Sequence, residues 1–162
     1  METLSATPDQ LERFWEKVNK TESCWIWTAG CQRDGYGHFN SGSRSYIAHR
    51  FSYMNLVGPI ANEMVIDHKC HNIKCVNPRH LQQVTRAINN QNKRGPYKNG
   101  KSGFRGVSWR ADRNKWQANI RIDGKRKHLG YFNSPALANE AAVRARNELF
   151  SNNLADIQPL NT

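Results

Sequence analysis

Val65-Ile66-Asp67-His68-Lys69-Cys70-His71-Asn72-Ile73-Lys74-Cys75-Val76-Asn77-Pro78-Arg79-His80 sets two kinds of chemistry side by side. Cys70, Cys75 and His80 offer two thiolates and an imidazole at short intervals. Zinc selects these ligand types, and a tetrahedral site lacks only a fourth. Cys24 is the leading candidate for that position, with His71, beside Cys70, as a competitor. Asp67 and His68, with Asn89 further along, are left over by this assignment. They supply an imidazole that titrates near neutrality and two oxygen donors for a hard cation such as Mg2+ or Mn2+. Hydrolysis of a phosphodiester needs a base for water and an electrophile for the phosphate, and this set provides for both.

Working outward, Val65–His68 reads as a strand, 69–74 as a loop, Cys75-Val76 as a short returning strand and Leu81 to about Asn92 as a helix. Adjacent residues of a regular strand point to opposite faces, so Asp67 and His68 can share a site only where the strand ends or twists. Upstream, Leu11, Phe14, Trp15 and Val18 recur at helical spacing from about Pro8. Cys24–Trp27 reads as a strand, and Ile47–Val57 as a helix stopped by Gly58-Pro59. Arg50, on that helix, is a candidate charge-assisted donor to a phosphate and His38 a weaker one, while a part for His49 stays open. Cys31 has no evident partner and reads as an ordinary small apolar residue.

The pattern changes after a basic, turn-rich stretch over 93–101 that reads as a linker. Lys115–Ile122 alternates strictly, with Lys, Gln, Asn and Arg on one face and Trp, Ala, Ile and Ile on the other. Asp123-Gly124 marks a hairpin, Arg126–Phe132 supplies the next strand and Phe104–Arg110 the one before. Ser134-Pro135 opens a helix whose Ala138, Ala141, Ala142, Ala145 and Leu149 form a stripe for close packing on a sheet. The fold class expected is α+β. A metal-stapled module occupies 1–92, and a three-stranded antiparallel sheet packed on one helix occupies 102–150. A tail follows over 151–162.

The formal charge is +11, with a pI of about 9.9. It is uneven: residues 93–131 carry twelve Lys and Arg against Asp112 and Asp123, whereas residues 1–92 carry ten against eight acids. A polyanionic partner follows, and nucleic acid is the foremost one. No apolar run approaches the roughly 20 residues of a membrane span, and the N-terminus has no signal-peptide core. A cytoplasmic setting with reduced thiols is therefore expected, which favours metal ligation over disulfides. For a phage-encoded chain it would be the host cytoplasm. Monomer and homodimer stay open.

Residues 24–92 resemble an HNH nuclease of the His-Me finger, or ββα-metal, superfamily. Cys24 with Cys70-x4-Cys75-x4-His80 is similar to the zinc site of His-Cys box homing endonucleases. The resemblance implies a structural zinc on Cys24, Cys70, Cys75 and His80. It also implies His68 as general base, Asp67 and Asn89 as Mg2+ ligands, and products with 5′-phosphate and 3′-hydroxyl ends. Asn89 stands where HNH proteins usually carry His, and His80 replaces the central Asn, which puts the part of Asn77 in question. Residues 102–150 resemble an AP2 DNA-binding domain through Phe104-Arg105-Gly106-Val107, the Trp116 strand, Leu129-Gly130-Tyr131-Phe132 and the alanine-rich helix. Such a sheet lies in the major groove, and the matching positions are Arg105, Arg110, Arg121, Arg126 and His128. His128 stands where plant members often have Trp, so base preference does not carry over. The fusion resembles a phage or mobile-element homing endonuclease. The rival expectations are a non-catalytic, sequence-specific DNA-binding regulator with the HNH module as scaffold, and an RNA-binding protein; the chain's lack of paired exposed aromatics disfavours the latter.

Overall fold

The computed structural model describes residues 1–93, 95 and 100–153, and its chain divides into two compact units, Met1–Arg86 and Ala87–Thr162. Most of the expected linker and tail lies outside the described residues. Each unit is a mixture of short helices and antiparallel sheets. Among the described residues no helix is long and apolar enough to cross a membrane.

The first unit begins with α1 (Pro8–Trp15), opened by a reciprocal cap. Gln10 N–H donates to Thr7 Oγ1 at 3.3 Å while Thr7 N–H donates to Gln10 Oε1 at 3.0 Å, and Pro8 supplies the preset first turn. The helix buries Phe14, whose ring centroid lies 5.1 Å from those of Trp27 and Phe39 and 4.6 Å from that of Phe51. Two hairpins follow: β1 (Val18–Lys20) with β2 (Trp25–Trp27), and β3 (His38–Ser41) with β4 (Arg44–Ile47). They lead into α2 (Ala48–Leu56). Gly37 lets β3 start against this core, because a Cβ there would fall 2.5 Å from the Trp27 ring. Cys31, read from the sequence as an ordinary small apolar residue, is exposed.

β5 (Met64–His68) pairs in antiparallel register with β6 (Leu81–Thr85), from Met64 opposite Thr85 to His68 opposite Leu81. This corrects the helix expected from Leu81: only Arg86–Gln91, α3, is helical. Leu81, Val84 and Ile88 recur at helical spacing, but a short apolar run is ambiguous by period alone, and pairing with β5 prevailed. Cys75-Val76 is likewise not the returning strand. Those residues pair with the free edge of β2, through Val76 N–H to Trp25 O at 2.7 Å and Trp27 N–H to Lys74 O at 2.9 Å.

The second unit carries β7 (Val107–Arg110), β8 (Lys115–Ile122) and β9 (Lys125–Phe132) in that order, covered by α4 (Pro135–Leu149). Val107 and Ala118 meet Ala138 and Ala142 in its core. Asp123 and Gly124 take φ of 48° and 78°, the left-handed pair of a tight hairpin. The register slips between Ala118, opposite Gly130, and Asn119, opposite His128, which leaves Leu129 as a bulge. The α4 stripe departs from expectation at one end: Leu149 is exposed, and the sheet side of the last turns holds Arg146, only 2% exposed, which donates to Arg105 O at 3.2 Å.

Candidate active site and metal centre

The candidate metal centre is assembled from four places in the first unit. Cys24 stands just before β2, Cys75 arrives on the segment paired to the other edge of β2, and His80 closes the 3-10 turn Pro78–His80. Cys70 follows the end of β5, where Lys69 N–H donates to His80 O at 2.8 Å. The ligand atoms of Cys24, Cys70, Cys75 and His80 all lie within 4.8 Å of one another. His80 Nδ1 is 3.5 Å from Cys24 Sγ and 3.6 Å from Cys75 Sγ. A tetrahedral site with thiolate bonds of about 2.3 Å has ligand separations of roughly 3.8 Å, so the four donors fit zinc in type and spacing. His71, in a left-handed turn at φ 58°, is outside this set.

Asn77 builds the knuckle. Its side chain accepts from Arg79 N–H at 3.0 Å and donates to Ser23 O at 2.7 Å, while its own N–H points at Cys75 Sγ at 3.4 Å. Burial and the nearby Cys75 sulfur push the Cys24 thiol up. The hydrogen bond between Cys70 and Cys75 holds Cys70 below and drives Cys75 above the ordinary thiol range. Thiols crowded in this way become a full set of thiolates when a cation offsets their charge.

His68 closes β5 and is 5% exposed. Its Nε2–H donates to the Cys75 carbonyl at 3.1 Å. A carbonyl only accepts, so the proton sits on Nε2 and Nδ1 carries the lone pair. Burial lowers the His68 pKa, outweighing the opposite pulls of that carbonyl and of Asp67. Asp67 is opposite Gln82, whose Nε2 donates to Asp67 Oδ2 at 3.0 Å. Both residues belong to β5, Asp67 opposite Gln82 and His68 opposite Leu81, and both are buried. Asn89 stands on α3 at the start of the second unit.

Two aromatic neighbours complete the His68 surroundings. The His49 ring lies edge-on to it at 4.5 Å between centroids, and Tyr36 is 5.3 Å from His49 and 6.1 Å from His68. Burial raises the Tyr36 phenol, with Asp34 and Asp67 adding to it. Tyr36 and Gln82 were missed in the sequence. The one signal was the glycine on each side of Tyr36, which admits the ring to a crowded corner. The other upstream groups are engaged: Arg50 pairs with the Glu2 carboxylate, and His38 Nε2 with Ser45 Oγ.

On the sheet of the second unit, the cross-strand register puts Arg110, Arg121, Arg126 and His128 on the face away from α4, and all four are exposed. Arg121 is directly opposite Arg126, and Arg110 opposite Lys115. Arg110 also forms a two-pronged pair with Asp112 at 2.9 and 3.2 Å, and Gln117 Nε2 donates to His128 Nδ1 at 3.1 Å. Arg105 is elsewhere. It precedes β7, and its guanidinium donates to the carbonyls of Asn90, Gln91 and Lys93 at 2.6–3.0 Å. Its cation therefore closes the C-terminal end of α3, whose last carbonyls lack helical partners.

Comparison with known proteins bears on residues 46–91. The family model described as HNH endonuclease matches residues 46–91, a span that includes Asp67, His68, Cys70, Cys75, His80 and Asn89. Protein 7.7 of Escherichia phage T7 is 33% identical over 70 residues, covering 43% of this chain and 54% of that protein. The chain thus spans about half the length of the curated relative it matches. No solved structure matches it. The match supports a nuclease, and the four-residue cluster supports a metal centre of the zinc type.

Proposed function

We propose that the chain is a metal-dependent DNA endonuclease of the homing type, with cutting in the HNH-like segment and duplex binding on the AP2-like sheet. The observation that carries the reading is the His68 hydrogen bond to Cys75 O, which leaves Nδ1 unprotonated. His68 Nδ1 takes a proton from water. The water oxygen forms a bond to phosphorus as the bond from phosphorus to the 3′-oxygen breaks, and the departing oxygen takes a proton from solvent water, leaving 5′-phosphate and 3′-hydroxyl ends. Asp67 and Asn89, both hard oxygen donors, would hold Mg2+ or Mn2+, which supplies positive charge to the phosphate when bound. Cys24, Cys70, Cys75 and His80 would hold structural zinc, since four protein ligands leave no open position.

Binding by the sheet is supported by Arg121 facing Arg126, whereas the charge of Arg110, opposite Lys115, is met by Asp112. Like charges directly opposite destabilise a sheet, and a polyanion laid across them reverses that penalty. Arg50 and Arg105, being paired within the chain, are left out of this footprint. Incubation of the zinc-loaded protein with supercoiled plasmid and Mg2+ tests the reading. Nicked or linear product that disappears in His68→Ala supports it, whereas intact plasmid with retained duplex binding would make the chain a non-catalytic DNA-binding protein.

A further inference from the structure

We propose that His49 is a second catalytic imidazole, donating a hydrogen bond from Nε2–H to an oxygen of the reacting phosphodiester. The inference rests on the nuclease reading of the same site and extends it to a residue outside the base and metal-ligand set.

His49 is the second residue of α2 and only 6% exposed. It is surrounded by residues that pack as a core, yet its Nδ1 is sealed from solvent with no hydrogen-bond partner. Leaving a buried polar atom unsatisfied costs about 1–3 kcal/mol, so an apolar ring would serve packing better. The cost has to be offset elsewhere. Buried orphan N–H groups are rarer than under-satisfied acceptors, which assigns the lone pair to the sealed Nδ1 and the proton to Nε2. Nε2 is not sealed and has no acceptor among the described residues.

The ring is also in the right place. With 4.5 Å between the His49 and His68 centroids, a phosphate attacked by water at His68 Nδ1 lies within reach of a donor on His49. The two imidazoles then divide the work. His49, drawn down to a pKa of about 3 by burial and by its neighbours His68 and Arg50, is neutral at all working pH values. So weak a base does not compete with His68 for the water proton. A neutral imidazole still donates one hydrogen bond, and a donor already aimed at the charge that develops on phosphate lowers the barrier without reorganising.

The test uses the full, zinc-loaded chain, supercoiled plasmid and Mg2+. His49→Phe keeps a flat ring against His68 and removes the donor; His49→Gln restores an N–H. Single-turnover cleavage by His49→Phe should fall about 100-fold with zinc content and duplex affinity unchanged, and His49→Gln should recover part of the loss. Cleavage by His49→Phe within a few-fold of wild type would overturn the proposal. A second measurement does not depend on turnover or on a folded variant. In wild-type protein, the 15N resonances of His49 should show a proton on Nε2, and they should shift when a short DNA duplex is added with Ca2+ in place of Mg2+. Resonances that stay fixed at saturating duplex would remove His49 from the site. Should wild type bind but not cut, the nuclease reading falls while this titration still decides whether His49 meets phosphate.

Discussion

The Nε2–H of His68 donates to the carbonyl of Cys75 at 3.1 Å, so the imidazole that would act as base is aimed by the backbone of a metal-ligand residue. The Cys75 side chain faces the metal cluster while its carbonyl faces the base. With zinc on the cluster and His68 as base, as proposed, metal occupancy and catalytic geometry would be coupled through this one residue.

Removing zinc is accordingly expected to end cleavage as well as stability. Cys75→Ser or a strong chelator should lower the melting temperature of the first unit and abolish product, because coordination free energy in a small stapled unit is folding free energy. Elemental analysis should find about one zinc per chain. An active preparation free of zinc would refute the metal centre.

His68→Ala should slow single-turnover cleavage by about 10²–10⁴-fold and leave the duplex dissociation constant nearly unchanged, the loss falling on the chemical step. Burial lowers the His68 pKa, so its neutral, basic form persists below the ordinary imidazole range. The acid limb of kcat/KM is therefore expected below about pH 6.5. A limb above that value would show that a different group limits the rate.

Stability should fall with acid, with His49 as a main contributor. Its folded pKa of about 3 is below its unfolded value near 6.5, so the unfolded chain binds the extra proton first. The His49 contribution is complete above pH 6.5 and is lost as pH falls toward 3. Between pH 7 and 5 the decrement is about 2 kcal/mol, and urea titrations of wild type and His49→Phe should differ by that amount in their pH dependence. Parallel pH profiles would place the acid sensitivity elsewhere.

Arg121 and Arg105 should separate cleanly. Arg121→Gln or Arg126→Gln should reduce the slope of log affinity against log salt by about one. Arg105→Ala should hardly change that slope but should destabilise the second unit by about 2 kcal/mol, since it leaves the carbonyls of Asn90, Gln91 and Lys93 without their charged donor. Filter binding across a salt series and denaturant unfolding distinguish the two.

Gly106→Ala should cost about 1–3 kcal/mol. Gly106 has φ 79°, and a Cβ there would run into the Asn119 carbonyl oxygen, at the point where Asn119 N–H donates to Gly106 O at 2.8 Å. A variant as stable as wild type would mean that this turn can relax.

Local chemistry by itself determined a good part of the protein. Cys70, Cys75 and His80 announce a soft-metal site because few other settings place such donors so closely, and the structure brings Cys24, the leading candidate for the fourth ligand, within 4.8 Å of them. The strict alternation of Lys115–Ile122 and the Asp123-Gly124 turn set out a hairpin with one wet face, because strand period and left-handed φ are properties of adjacent residues. What only the tertiary structure decided depends on partners distant in sequence. Leu81–Thr85 became a strand because β5 offered it an edge, overriding a helical spacing. Arg50 was drawn to Glu2, 48 residues away, and Arg105 to the end of α3. His49 was sealed against His68, 19 residues on in a different element. Period, turn chemistry and ligand type are written locally, whereas pairing, burial and the choice of counter-charge belong to whatever the folded chain brings alongside.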